Sequence, residues 1–181
     1  MLKRVLTTFG KNQFLRSGKA IQDSEIIDYG KQLAQSQNAL VLLPAASEEF
    51  DFAIRQYPAL QASLINAKFT YVAYDTYAQS LPAPLRENTI HITEQDISAI
   101  GLLNKKFFSN IANGFDIVID FNFGFDLCST LITSKSQAKV KICFCHPERE
   151  PFYNLQIKTP EGKPLDQKID VMLKYISILM Q

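Results

Sequence analysis

Glycine is scarce in this chain, at 7 of 181 residues, and is nowhere spaced as a phosphate-binding loop requires. Neither G-x-x-x-x-G-K-[ST] nor G-x-G-x-x-G occurs, although such patterns let backbone amides close on a phosphate. The G-x-S-x-G elbow that presents a nucleophilic serine is missing too. These gaps speak against a kinase, a dehydrogenase of the usual kind and an α/β hydrolase. Cysteine numbers 3, an odd and sparse set that builds no disulfide framework and points to a reducing, cytoplasmic setting. No apolar run reaches the roughly 18 residues a membrane span needs. Lys and Arg break the apolar positions of the opening MLKRVLTTFGKNQF, unlike a signal peptide's core. Excess charge is lacking as well. Lys and Arg total 19 against 18 Asp and Glu, whereas a general nucleic-acid binder is more basic.

What is present is a large apolar content, 46% of residues, enough for one core that buries about two-thirds of the unfolded surface. The chain is organised around Phe115 to Thr130. Ile117, Val118 and Ile119 form an apolar run suited to a strand covered on both faces. Asp120 follows at the strand's carboxyl end, and Gly124 is expected to turn the backbone tightly into a helix starting at Phe125 and Asp126. In open α/β sheets ligands sit outside the carboxyl ends of the strands, so a site is sought here.

Around that centre the pattern alternates. Leu2, Val5, Leu6 and Phe9 mark a short amphipathic helix, and Lys3, Arg4, Lys11, Arg16 and Lys19 make its surroundings basic. Such an arm docks on the domain with a solvated basic side, or makes weak contact with an anionic membrane surface. A helix is expected over Ser24 to Gln35, with Ile26, Ile27, Tyr29 and Leu33 apolar. Strands are expected at Asn38 to Leu43, Lys68 to Tyr74, Thr89 to Ile92, Ala138 to Cys145 and Phe152 to Thr159. Between them, Ser47 is placed to cap a helix with Glu48 and Glu49 in its first turn. Thr93 and Asp96 resemble a capping box opening one helix or two, with Ile97, Ile100, Leu103, Phe107, Phe108 and Ile111 as the buried side, ended by Asn113-Gly114. The last helix carries two apolar stripes, Leu165, Ile169, Met172, Ile176 and Leu179, then Val171, Tyr175 and Ile178. The second suits burial, a homodimer or a partner protein. The expected fold is α/β: a three-layer Rossmann-like domain with a mainly parallel sheet, preceded by a helical N-terminal arm and closed by a long C-terminal helix. Residues 1–36 form the arm and 37–181 the single domain.

Asp120 with Asn122 is the first candidate for chemistry, as a base or a ligand for a sugar or amine at the crevice rim. The competing reading makes Asp120 or Asp126 a cap of the next helix. His146-Pro-Glu-Arg-Glu150 reaches the same rim, as a binding loop through Glu148 or as an ordinary turn. Cys143, Cys145 and His146, with Cys128 nearby, lack the C-x₂-C knuckle of structural zinc. Small buried residues account for them better, and no metal or cofactor is expected. His91, between two isoleucines, reads as structural.

The segment from Ile92 to Phe144 resembles a short, uncharacterised bacterial family with a D-x-x-x-x-G helix, an F-D-[IL]-[LV]-I-D strand and an S-x-A-K-x-K strand. More remotely, ALVLLPAASEEFDFAIRQYPAL, FDIVID, AKVKICF and PFYNLQI resemble the N-terminal, acceptor-side half of heptosyltransferase-type GT-B glycosyltransferases, over roughly residues 38 to 158. That resemblance implies a Rossmann-like fold and a catalytic Asp in a Gly-Asp turn after the first strand. Here the turn reads Ala45-Ala46-Ser47-Glu48-Glu49, leaving Glu48 or Glu49 as substitutes. The donor-binding second domain would need another ~150 residues, so complete glycosyl transfer by this chain alone is not expected. The expected function is therefore non-catalytic or accessory. A small polar ligand, a saccharide or nucleotide, would bind at Asp120, Asn122, Gly124, Ser47, Glu48, Glu49 and Glu148, or a partner protein would bind instead. The alternatives are a glycosyltransferase-type enzyme working with a donor-binding chain, and an interaction module with no small-molecule site.

Overall fold

The computed structural model describes residues 2–17, 26–111 and 114–181. Six strands form one sheet in the order β3-β2-β1-β4-β5-β6, and every neighbouring pair is parallel. They are β1 (Asn38–Leu42), β2 (Lys68–Tyr74), β3 (Thr89–Ile92), β4 (Ile117–Asp120), β5 (Val140–Phe144) and β6 (Leu155–Ile157). The order reverses between β1 and β4, the switch point outside which an open α/β sheet forms its crevice. All four residues of β4 are buried, because helices cover both faces of the sheet. The three-layer Rossmann-like fold is present, with a helical N-terminal arm and a long last helix.

One face, with Ala39, Val41, Tyr71, Ile117, Ile119, Val140 and Ile142, packs against α2 (Tyr29–Ala34), α3 (Ser47–Arg55), α4 (Tyr57–Ser63) and α8 (Leu165–Leu179). The other, with Leu40, Leu42, Val72 and Val118, packs against α6 (Lys105–Asn110) and α7 (Leu127–Lys135). Asp116 fixes the entry of β1 from across the sheet: its Oδ2 accepts from the backbone N–H groups of Gln37 and Asn38 at 2.8 and 2.9 Å. In α8, Ile169, Met172, Leu173 and Ile176 face the core, while Tyr175 and Ile178 are exposed. No helix among the described residues is long and apolar enough to cross a membrane.

Several local expectations are corrected. In α1 (Leu2–Ser17) Phe9 is 61% exposed and Phe14 is the buried aromatic; the side chains of Leu2, Val5 and Leu6 lie outside the described residues. The helix expected from Ser24 begins at Tyr29, because Asp28 accepts from the Lys31 N–H and caps it there; Ser24 itself lies outside the described residues. Ser47 does not cap α3. Ala46 holds that position, without a side-chain bond, and Ser47 is the first helical residue. The Asp96 carboxylate does reach back to the Thr93 N–H and hydroxyl at 3.0 and 2.6 Å. It closes only a 3₁₀ turn, Glu94–Asp96, and Ile97 then bridges to Leu103 in extended conformation. Gly101 makes that reversal at φ +83, a value side-chain-bearing residues rarely adopt. Helix resumes only at Lys105, and the Asn113 expected to end it lies outside the described residues. A short helix not expected from the pattern, α5 (Ala83–Arg86), precedes β3. The final strand shrinks to Leu155–Ile157, since Pro147–Phe152 winds into a 3₁₀ turn that buries Arg149 and Phe152.

Candidate functional site at the carboxyl edge of the sheet

Asp120 ends β4 beside Leu42 of β1 and Cys143 of β5, at the switch point. Its carboxylate is buried, and this chain's own groups occupy both oxygens. Oδ1 accepts from the Asn122 backbone and side-chain N–H groups at 2.9 and 2.8 Å. Oδ2 accepts from the Tyr153 hydroxyl and meets Arg149 Nη2, each at 2.5 Å. Arg149 is wholly buried. Its Nη1 donates to the carbonyls of Asn122 and Gly124, and its guanidinium lies over the Tyr153 ring, 4.6 Å from the centroid. Burial is the largest influence and would lower the Arg149 pKa, but the Asp120 carboxylate, Tyr153 and Cys143 together hold the group above its ordinary value. Burial, then the Asp120 charge, pushes the Tyr153 phenol well above 10.

The network reaches the neighbouring elements. The Asn122 amide donates to Ser129 of α7 at 3.0 Å, and its carbonyl accepts from the Ala45 N–H at 3.0 Å. Tyr77 donates its hydroxyl to the Ala45 carbonyl, so both backbone polar groups of Ala45 are engaged. Thr133 of α7 bonds the Tyr153 hydroxyl at 3.1 Å. Asp126 is the true cap of α7, accepting from the Ser129 N–H at 2.7 Å and from Tyr74 at 3.0 Å. Burial nevertheless keeps its pKa raised. Of the two acids proposed as caps, Asp126 does that work and Asp120 forms a buried ion pair.

The outer candidates form a second tier. Glu49 is half-buried and accepts from the Phe123 N–H at 3.3 Å. Desolvation raises its pKa, and this hydrogen bond offsets only part of the rise. Ser47 and Glu48 are exposed on the first turn of α3. Glu148 is half-buried and paired with Lys11 of α1 at 2.8 Å. Gly124 is exposed, and its φ is outside the left-handed region, so the tight-turn role expected of it is not what the loop uses. Asp120, Asn122 and Glu49 are thus brought together through residues 121–124, while Ser47 and Glu48 stay outside the bonded network.

Sequence reasoning missed Arg149, Tyr153, Ser129 and Thr133. One signal was available for the first: a carboxylate ending a fully buried strand needs a cation, and none stands near Asp120 in the chain. Cys143 and Cys128 are buried, and burial lifts both thiols to about 12. Cys145 is exposed. Among the described residues, no group of three or more His, Cys, Asp and Glu could hold a metal ion. His91 lies on β3 opposite Ala73 with a buried Nδ1.

Residues 12–179 match a family model described as a family of unknown function, DUF6913. No curated protein matches the sequence. Among solved structures, the E. coli heptosyltransferase WaaC with ADP is similar at TM-score 0.54 and 18% identity, over 80% of this chain and 46% of that one. The same enzyme with ADP-2-deoxy-2-fluoro heptose gives 0.55 and 17%, over 80% and 47%. The chain spans about half the length of the solved chains it matches. At this identity the likeness is one of fold, and it agrees with the resemblance carried by the strand motifs.

Proposed function

This chain belongs to DUF6913, a family of unknown function, and we propose that it is a non-catalytic accessory protein that meets a partner protein at the carboxyl edge of its sheet. In this reading residues 1–36 serve as an arm on a domain of residues 37–181, and the protein works in the cytoplasm. One observation carries the proposal: both oxygens of Asp120 are taken by Asn122, Tyr153 and Arg149, at 0% exposure. A general base must reach the proton it removes. Asp120 could reach one only by leaving its ion pair, and stranding one partner of a buried pair costs about 3–5 kcal/mol. In the turn after β1, Ala45 is likewise bonded at both its backbone groups, by Asn122 and Tyr77.

The glycosyltransferase-type alternative, with a donor site on another chain, rests on Glu48 or Glu49. The small-ligand alternative rests on the same outer tier, Ser47, Glu48, Glu49, Gly124 and Glu148. The raised pKa of half-buried Glu49 favours keeping both in view. Thermal-shift curves against ADP, ADP-sugars, free nucleotides and sugar phosphates separate the readings. The accessory reading expects a flat panel. A ligand at 100 times its dissociation constant adds about 2.7 kcal/mol and shifts melting by several degrees. Such a shift, lost in Glu49→Gln, overturns the proposal in favour of the outer tier.

A further inference from the structure

The two helical layers of the domain differ in charge. On one face of the sheet, α3 and α8 carry Glu48, Glu49, Asp51, Asp166 and Asp170, with Lys and Arg interspersed. On the other face, α6 and α7 contain no acid at all. Neither does α1, whose Phe14 and Leu15 share an apolar cluster with Phe108 of α6 and Leu131 of α7. Among the described side chains of these three helices the bases are Lys11, Arg16, Lys105, Lys106 and Lys135. Lys11 is paired with Glu148. The other four are exposed and have no ion pair among the described residues. Glu94 and Asp96 stand in the turn after β3, and Asp96 is held by Thr93.

The whole chain has a formal charge of only +1, so this face is basic because charge is sorted between layers. Gathering one sign on one surface raises the local potential and orients the molecule toward an anionic partner. An aromatic side chain accompanies the bases. Gly10 and Phe14 are the buried positions that seat α1. Phe9 and Arg16, seven positions apart, share a different side of that helix, and Phe9 is 61% exposed. Exposed aromatic and basic side chains together are the composition of a surface that lies in the headgroup region of a bilayer. Nucleic-acid faces favour the planar fork of Arg, whereas Lys acts as a point charge. Of the four exposed bases, Lys105, Lys106 and Lys135 are lysines.

We propose that the face made by α1, α6 and α7 is a peripheral membrane-binding surface. Arg16, Lys105, Lys106 and Lys135 meet the anionic headgroups of phospholipids, and Phe9 enters the headgroup boundary. Binding is reversible, because it combines two weak signals, charge and one inserted side chain. The surface is separate from the carboxyl edge and does not depend on the accessory reading.

The test is co-sedimentation of the full chain with vesicles of phosphatidylcholine alone, or of phosphatidylcholine and phosphatidylglycerol in equal parts. The chain should sediment with the mixed vesicles only, and should be released at about 1 M salt, where charges are screened beyond about 3 Å. Each base near an anionic surface contributes about fivefold, so Lys105→Gln with Lys106→Gln should weaken binding about thirtyfold. Lys31→Gln with Lys174→Gln removes the same charge from exposed sites on the opposite layer and should leave binding unchanged. The chain has no Trp, so Phe9→Trp supplies a single reporter, whose emission should shift to the blue with the mixed vesicles alone. Circular dichroism checks that each variant is folded. Absence of binding to the mixed vesicles, equal binding to neutral ones, or equal weakening by the two lysine pairs overturns the proposal. So does Trp emission unmoved by the mixed vesicles. Capture of a mixed-sequence duplex oligonucleotide without vesicle binding overturns it in favour of a nucleic acid.

Discussion

Arg149 and Asp120 are 29 positions apart in the chain, yet the guanidinium of one lies 2.5 Å from the carboxylate of the other, both buried. The 3₁₀ turn after β5 swings Arg149 back beneath the end of β4, and Tyr153 closes the pair from the far side. The most reactive-looking acid of the sequence is therefore neutralised inside the protein.

Asp120→Ala leaves an unpaired guanidinium in the core, and should lower unfolding free energy by about 3–5 kcal/mol in urea titrations. Asp120→Leu combined with Arg149→Met should regain much of that loss, because apolar replacement of a buried pair is often neutral. A single Asp120→Ala variant melting within a degree or two of the parent would mean that the pair carries no structural weight.

Tyr153→Phe keeps the ring under Arg149 but takes one donor from Asp120 Oδ2. Leaving a buried acceptor short of a partner costs about 1–3 kcal/mol. The Thr133 hydroxyl retains its bond to the Ser129 carbonyl at 2.9 Å, so the loss should stay within that range in the same titration.

Glu49 supplies a pH test. Its folded-state pKa is raised by desolvation, so the folded protein binds that proton more tightly than the unfolded chain does. This contribution is fully present below the unfolded glutamate pKa and is lost as pH rises through the folded one. Glu49→Gln, which can still accept from the Phe123 N–H, should match the parent in acid and melt higher near neutral pH. Melting curves that differ in acid and converge at neutral pH would contradict the assignment.

The thiols should divide in the same way as their surroundings. In the native protein at mildly alkaline pH, a thiol-specific chromogenic reagent should titrate Cys145 alone, since Cys128 and Cys143 are buried with pKa values near 12. Denaturant should release the other two. Rapid native reaction at Cys143 would show that the carboxyl edge opens.

The parts of the fold that were legible are those set by local pattern. KFTYVAY and TIHI become β2 and β3 at the expected residues, because bulky β-formers between turn signals leave few other choices. The Ile97 to Leu103 stretch misled because spacings of three mimic a helix; Gly101 at φ +83 and the Ile97–Leu103 bridge spend the same residues on a reversal. At the site, the importance of Asp120 and Asn122 was legible and their role was not. Arg149 sits in the polar run Pro-Glu-Arg-Glu, which locally reads as solvated surface. Only the long-range closure of β5 onto β4 brings it to full burial against Asp120.

The reversal of strand order between β1 and β4 sets a timetable for synthesis. Asp116, at the head of β4, bonds Asn38 at the head of β1 across 78 residues, and a ribosome adds about 5–20 residues per second. For several seconds the nascent chain carries β1 with one edge open to other chains. That strand is Asn-Ala-Leu-Val-Leu, an uncharged apolar template of the kind that pairs indiscriminately. The emerging half is thus an aggregation hazard until β4 is made, and any truncation before Phe115 leaves β1 without that partner.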